Sequence, residues 1–223
     1  MIFSDYARLL KHPTHPLLFM RFKGETMVPF HDYCANLRLA QRFRHLPGAI
    51  VECGTWKGGM IAGLAGLFGA ERSYYLFDSF EGLPAAREID GVAARRWQAD
   101  TESPRYFDNC RASIADAENA MQRAGIRDAK IVKGWFEDTL PKTAIPDGIL
   151  ILRMDADWYE STLCILNNLF HQVVPGGCLL IDDYYYWDGC AKAVHDFLSR
   201  NKRPERVRTF NDRVAFIVKH PNG

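Results

Sequence analysis

None of the six cysteines (Cys34, Cys53, Cys110, Cys164, Cys178, Cys190) belongs to a CxxC pair. Cys53, Cys164 and Cys178 lie inside apolar runs, where a free thiol behaves as a small hydrophobe, so reduced thiols in a cytoplasmic protein are expected. No apolar stretch approaches the ~20 residues of a membrane span. The opening MIFSDYARLLKHPTHP carries an early Asp, a Lys and two Pro, unlike a secretory leader. Charge of one sign is missing too. The net charge is +1, which offers no broad electrostatic footprint for nucleic acid or an anionic membrane. Repeats and low-complexity segments are absent. What remains is an ordinary globular composition, 48% apolar and 25% charged over 223 residues, enough for one domain with a proper core.

Along the chain, residues 1–25 read as loop-rich and 28–45 as a helix. From residue 47 a different rhythm sets in. Strands are expected at 49–54, 73–78, 130–134, 148–155 and 177–183, with helices at 60–69, 105–125, 161–173 and 189–201. The tail 206–220 reads as two strands joined through Asn211-Asp212, an antiparallel hairpin. Residues 81–105 are polar and irregular, long for a connection, and read either as a lid or as a surface loop. This alternation indicates an α/β, doubly wound, Rossmann-like fold: a mostly parallel seven-stranded sheet with an antiparallel C-terminal hairpin. Residues 1–46 form a loop and helical cap, and 47–223 the core of a single domain. Ligands in such sheets bind beyond the carboxyl ends of the strands, which directs attention to residues just after 54, 78, 134, 155 and 183.

The first strand–helix turn reads Glu52-Cys53-Gly54-Thr55-Trp56-Lys57-Gly58-Gly59. A pyrophosphate-binding GxGxxG loop needs a glycine where Trp56 stands, so a nicotinamide or flavin ligand is disfavoured. A nucleoside without pyrophosphate still fits. Asp78 closes the second strand, where doubly wound folds place an acid that accepts ribose hydroxyls. S-adenosyl-L-methionine is the natural candidate. Glu52, Gly54, Thr55, Trp56, Gly59, Asp78, Ser79, Phe80 and Trp135 are the cofactor-binding candidates; Trp135 follows the third strand, where adenine lies in this fold. Met27 is a further candidate contact.

Strand four ends in Asp155-Ala-Asp157 and strand five in Asp182-Asp183. Carboxylates converging on a partly desolvated rim raise one another's pKa unless a cation binds. Oxygen ligands suit a hard divalent ion, Mg²⁺ first, with Ca²⁺ or Mn²⁺ as alternatives. Asp155, Asp182 and Asp183 are the expected metal ligands. In the competing structural reading, Asp183 caps a helix and Asp155 or Asp157 pairs with Arg153. Asp157 and Glu160 suit a helix start, where acids complement the macrodipole.

Five blocks, VECGTWKGG (51–59), YLFDSFEGLP (75–84), KGWFEDTLP (133–141), LRMDADWYEST (152–162) and PGGCLLIDDYYYW with the AVHDF helix behind it (175–197), resemble the macrocin/mycinamicin-type O-methyltransferases, a family that includes the aminocoumarin-sugar enzymes. The resemblance implies S-adenosylmethionine- and Mg²⁺-dependent methylation of a sugar hydroxyl on a glycosylated natural product. It also implies a metal held by Asp155, Asp182 and Asp183, with Asp155 as general base. Catechol-type relatives carry a lysine three residues after the first metal Asp. Trp158 stands there in this chain, which favours the sugar branch over a catechol or phenol O-methyltransferase.

A binder of the same fold without turnover is the non-enzymatic alternative. Tyr184, Tyr185 and Trp187 are candidate acceptor contacts. His31 and His195 sit on amphipathic helices and are expected at the surface. The partner is expected to be a small-molecule glycoside or phenolic acceptor, with no nucleic acid and no membrane, and the chain is expected to form a homo-oligomer.

Overall fold

The computed structural model describes residues 14–221. Its core is a seven-stranded sheet in the order β3-β2-β1-β4-β5-β7-β6. The strands are β1 (Ala49–Cys53), β2 (Tyr74–Asp78), β3 (Lys130–Lys133), β4 (Ile149–Met154), β5 (Val173–Ile181), β6 (Arg208–Phe210) and β7 (Val214–Val218). β1 to β5 run parallel, while β7 is antiparallel to both β5 and β6, as the sequence led us to expect. Every residue of β1 and of β4 is buried. Continuous apolar runs replace alternation there because helices cover both faces of the sheet.

The helices are α1 (Thr14–Phe22), α2 (Phe30–Gln41), α3 (Gly59–Phe68), α4 (Gly91–Ala99), α5 (Ile114–Arg123), the single turn α6 (Phe136–Thr139), α7 (Tyr159–Leu169) and α8 (Asp188–Arg200). One core layer joins α1, α2, α3 and α5 to the sheet; the other joins α7 and α8. α3, GMIAGLAGLF, is buried almost all round because α1 and α2 lie over it. Its small residues make the room: a Cβ on Gly63 would stand 1.9 Å from the Tyr33 hydroxyl, and one on Gly66 would stand 2.5 Å from Leu18 Cδ2. Among the described residues, no helix is long and apolar enough to cross a membrane.

Several local expectations are corrected. Within the stretch expected to be loop, residues 14–22 form a helix, and residues 1–13 lie outside the described residues. Pro16 falls in the first turn, where a missing N–H is harmless, and Leu18 and Phe22 anchor the helix in the core. α2 is shorter than 28–45, starting behind Pro29 and ending at Gln41.

The helix expected over 105–125 begins only at Ile114, capped by the Ser113 side chain. Before it, Phe107 to Cys110 form a turn with φ of 50° to 61°. The polar segment 81–105, read from the sequence as a lid or a surface loop, contains α4. Buried Asp90 pins it: Oδ2 accepts the Arg87 N–H and Oδ1 the Tyr159 N–H, each at 2.7 Å. β5 begins at Val173 rather than 177 and accommodates Pro175-Gly176-Gly177 by a register shift against β4.

Candidate active site

Asp78, Asp155, Asp157 and Asp182, at the ends of β2, β4 and β5, line one cavity of about 1000 Å³ at the carboxyl edge of the sheet, and Asp183 is buried beside them. That is large for a ligand site and leaves room for two reactants. The turn after β1 forms its floor. Gly54 has φ of 84°, and a Cβ there would lie 1.6 Å from the Asp155 carbonyl oxygen. Only glycine lets the ends of β1 and β4 approach this closely, and the contact is sealed by Asp155 N–H donating to Cys53 O at 2.9 Å.

Asp78 organises the loop. Its Oδ2 accepts the N–H groups of Thr55 and Trp56, and its Oδ1 that of Phe80, all at 2.7 Å. Trp56 and Phe80 both adopt left-handed φ, 49° and 55°, which bulky residues hold only when their surroundings impose it. Burial raises the Asp78 carboxyl above its usual range, while these three hydrogen bonds oppose the rise. Oδ1 carries one loop hydrogen bond and keeps an acceptor site for a ligand hydroxyl.

Gly54, Trp56, Asp78, Ser79 and Trp135 line the cavity. Thr55, Phe80 and Glu52 are buried behind that surface. Gly59 packs under the loop, its N–H donating to Glu25 O at 2.8 Å. Met27 reaches the rim.

At the cavity's acidic end lies a fully buried cation, Arg153. Nη1 stands 2.8 Å from both Glu52 Oε1 and Asp155 Oδ2, and Nη2 stands 2.6 Å from Asp182 Oδ1. Glu52 faces Arg153 across β1 and β4 and accepts its Nη1–H through Oε1. Asp182 likewise turns one oxygen to Arg153. Asp155, Asp157 and Asp183 instead gather: one oxygen of each lies within 4.8 Å of the others.

Asp183 Oδ2 accepts the N–H groups of Ala156 (3.0 Å) and Asp157 (2.9 Å), and Asp157 Oδ1 accepts the indole N–H of Trp187 (2.8 Å). Asp157, read from the sequence as a helix-start residue, therefore stands inside the cluster. Burial pushes the Asp155 carboxyl up to about 6, although Arg153 pulls it down. Burial and the neighbouring Asp155 charge push Asp157 up to about 8, and Asp183 is raised well above the carboxylate range for the same kind of reason. Among the described residues, neither Asp157 nor Asp183 has a basic partner within ion-pair distance. Three crowded carboxylates, of which Arg153 balances only Asp155, are the donor set of a hard divalent cation, and the residues present fit one.

The aromatic run divides. Tyr186 and Trp187 line the cavity. Tyr184 hydrogen-bonds His195 Nε2 at 2.8 Å and Tyr185 bonds Thr209 Oγ1, so these two candidate acceptor contacts face the hairpin and α8 side. Trp158 is buried, its indole N–H donating to Pro84 O at 3.0 Å. Segment 82–87 and Trp97 form the opposite wall, held by Asp90 and by ring contacts of Trp97 with Trp158 and Trp187. His31 packs edge-on against Phe30. Sequence reasoning did not single out Asp32, Asn36 and Arg213, which line the mouth; they come from α2 and the hairpin, far from any strand-end motif. The pairing of Asp32 with Arg213 at 3.0 Å crosses 181 positions and left no local signal.

The family model described as macrocin-O-methyltransferase (TylF) matches residues 32–218. The chain is 36% identical over 178 residues to the 8-demethyl-8-(2,3-dimethoxy-alpha-L-rhamnosyl)-tetracenomycin-C 4'-O-methyltransferase of Streptomyces olivaceus, covering 76% of this chain and 64% of that protein. It is 35% identical over 162 residues to the demethyldecarbamoylnovobiocin O-methyltransferase of Streptomyces niveus, covering 70% and 60%. It thus spans less than two thirds of the length of either relative. Among solved structures, the O-methyltransferase NovP superposes with a TM-score of 0.73 at 26% identity, over 88% of this chain and 82% of that one. With the match running from α2 to the end of β7, the chain belongs to the macrocin-O-methyltransferase (TylF) family.

Proposed function

We propose that the protein is an S-adenosylmethionine-dependent O-methyltransferase that methylates a sugar hydroxyl on a glycosylated small molecule, with a divalent cation, Mg²⁺ first, at its carboxylate cluster. The observation that carries this reading is that the braced glycine loop lines one cavity together with Asp155 and Asp157, which gather there with buried Asp183. Family membership and the named reactions of the relatives support it. When bound, the cofactor supplies an electrophilic methyl group, and the cation supplies positive charge that acidifies a nearby hydroxyl.

The chain's residues do the rest. Asp78 and the loop it braces hold the nucleoside, with Trp135 beside the base. Asp155, Asp157 and Asp183 would hold the cation, and Asp182 stays turned toward Arg153. Asp155 is the proposed proton acceptor, a carboxylate that lines the cavity beside the cluster and the glycine loop. Arg153 orients that carboxylate through its Oδ2. The pinned wall of 82–99 and the indoles of Trp97, Trp158 and Trp187 exclude water and hold the acceptor against the cofactor. Trp158 has no basic group and gives a phenol no lysine to lose its proton to.

The test is a methyl-transfer screen, with and without Mg²⁺, against deoxysugar glycosides and catechols in parallel. Mg²⁺-dependent transfer to glycosides is expected. Transfer to catechols alone, or turnover that survives excess chelator, overturns the reading; cofactor binding with no turnover on any acceptor favours the non-catalytic binder.

A further inference from the structure

Trp187 is joined to two acids of the cluster at once. Its backbone N–H donates to the Asp183 carbonyl at 2.9 Å, and its indole N–H donates to Asp157 Oδ1 at 2.8 Å. Asp157 N–H closes the ring by donating to Asp183 Oδ2 at 2.9 Å. Asp157 holds a left-handed φ of 55°, so its side chain leaves the backbone in a direction that the local chain does not favour and that these bonds must maintain.

The indole itself cannot turn freely. It packs edge-on against Trp158 at 5.3 Å and against Trp97 at 6.1 Å. The neighbouring indoles spend their N–H groups on backbone carbonyls, Trp158 on Pro84 and Trp97 on Arg105. Of the three, Trp187 alone addresses a carboxylate.

We propose that Trp187 is a positioning residue: its indole N–H fixes the Asp157 carboxylate so that the remaining oxygen faces the same cation as Asp155 and Asp183. The inference rests on the cation reading of that cluster. A ligand carboxylate whose second oxygen is held by a rigid donor meets the ion without first losing rotamer freedom, and loss of such an outer partner commonly costs 10–100-fold in metal affinity.

The experiment is titration of the full-length protein with Mn²⁺ followed by electron paramagnetic resonance, which needs no acceptor and no turnover. Trp187→Phe keeps an aromatic ring in the stack and removes the donor. Its Mn²⁺ affinity is expected to fall about 10–100-fold, while its circular dichroism spectrum and its affinity for S-adenosylhomocysteine stay like those of wild type. Trp97→Phe disturbs the same stack but leaves the Trp187–Asp157 bond, and its Mn²⁺ affinity is expected to remain close to wild type. Wild-type affinity in Trp187→Phe overturns the proposal. An equal loss in Trp97→Phe also overturns it, because the effect then belongs to packing. A wild-type protein that binds no Mn²⁺ fails at the earlier step and overturns the cation reading itself.

Discussion

Arg153 Nη2 stands 2.6 Å from Asp182 Oδ1 at the carboxyl edge of the sheet. With Nη1 shared between Glu52 and Asp155, this one buried guanidinium divides the acids of the site. Glu52, Asp155 and Asp182 have a fixed positive charge beside them, whereas Asp157 and Asp183 depend on hydrogen bonds and on what binds. Arg153→Met should cost about 3–5 kcal/mol, since it strands three acids around an apolar side chain. Urea denaturation measures this directly, and a loss below about 1 kcal/mol would refute the hub assignment.

Glu52 gives the fold a pH signature. Burial raises its carboxyl from 4.5 to about 8, against the pull of Arg153. Across that window the folded chain keeps a proton that the unfolded chain releases, so the group's contribution to stability falls as pH rises from about 4.5 and is fully lost above about 8. Glu52→Gln cannot ionise, and Arg153 still has Asp155 and Asp182. Stability of the variant should therefore decline less over this range, read as Tm against pH; parallel curves for the two proteins would contradict the assignment.

Asp78→Ala should weaken S-adenosylhomocysteine binding by at least about tenfold by calorimetry. Three loop N–H groups lose their acceptor, and Trp56 and Phe80 lose the support of their left-handed conformations. Retained affinity in this variant would sink the ribose assignment.

Removing the cation should separate binding from chemistry. Chelator treatment, and independently Asp183→Asn, should each lower methyl transfer by at least about tenfold while calorimetry still detects S-adenosylhomocysteine. Added Mg²⁺ should restore the chelated enzyme and not the variant. Because Asp183 Oδ2 also holds the turn at Ala156 and Asp157, a circular dichroism spectrum like that of wild type is part of the expected outcome.

Gly54→Ala should destabilise by about 2 kcal/mol or more and displace Asp155, since the added carbon meets the Asp155 carbonyl in a backbone conformation that alanine avoids. Denaturation together with loss of Mn²⁺ affinity would report both effects. A variant as stable as wild type is the contrary result.

Strand positions and the parallel order followed from local information: apolar runs such as ILILRM, the glycines that end them and the hairpin residues Asn211-Asp212 act within a few residues of themselves. The same logic puts Asp78, Asp155, Asp182 and Asp183 at the carboxyl edge, where β2, β4 and β5 end. α4 was hidden, because its start depends on Asp90 reaching Tyr159, 69 positions away. Only the tertiary structure decided how the acids share their partners. Arg153 extends across from β4 to Glu52 on β1 and to Asp182 beyond β5, while Trp187 and the left-handed turn at Asp157 bring that residue into the cluster. Periodicity tells a residue which edge it reaches; the distances between side chains on different strands determine what it meets there.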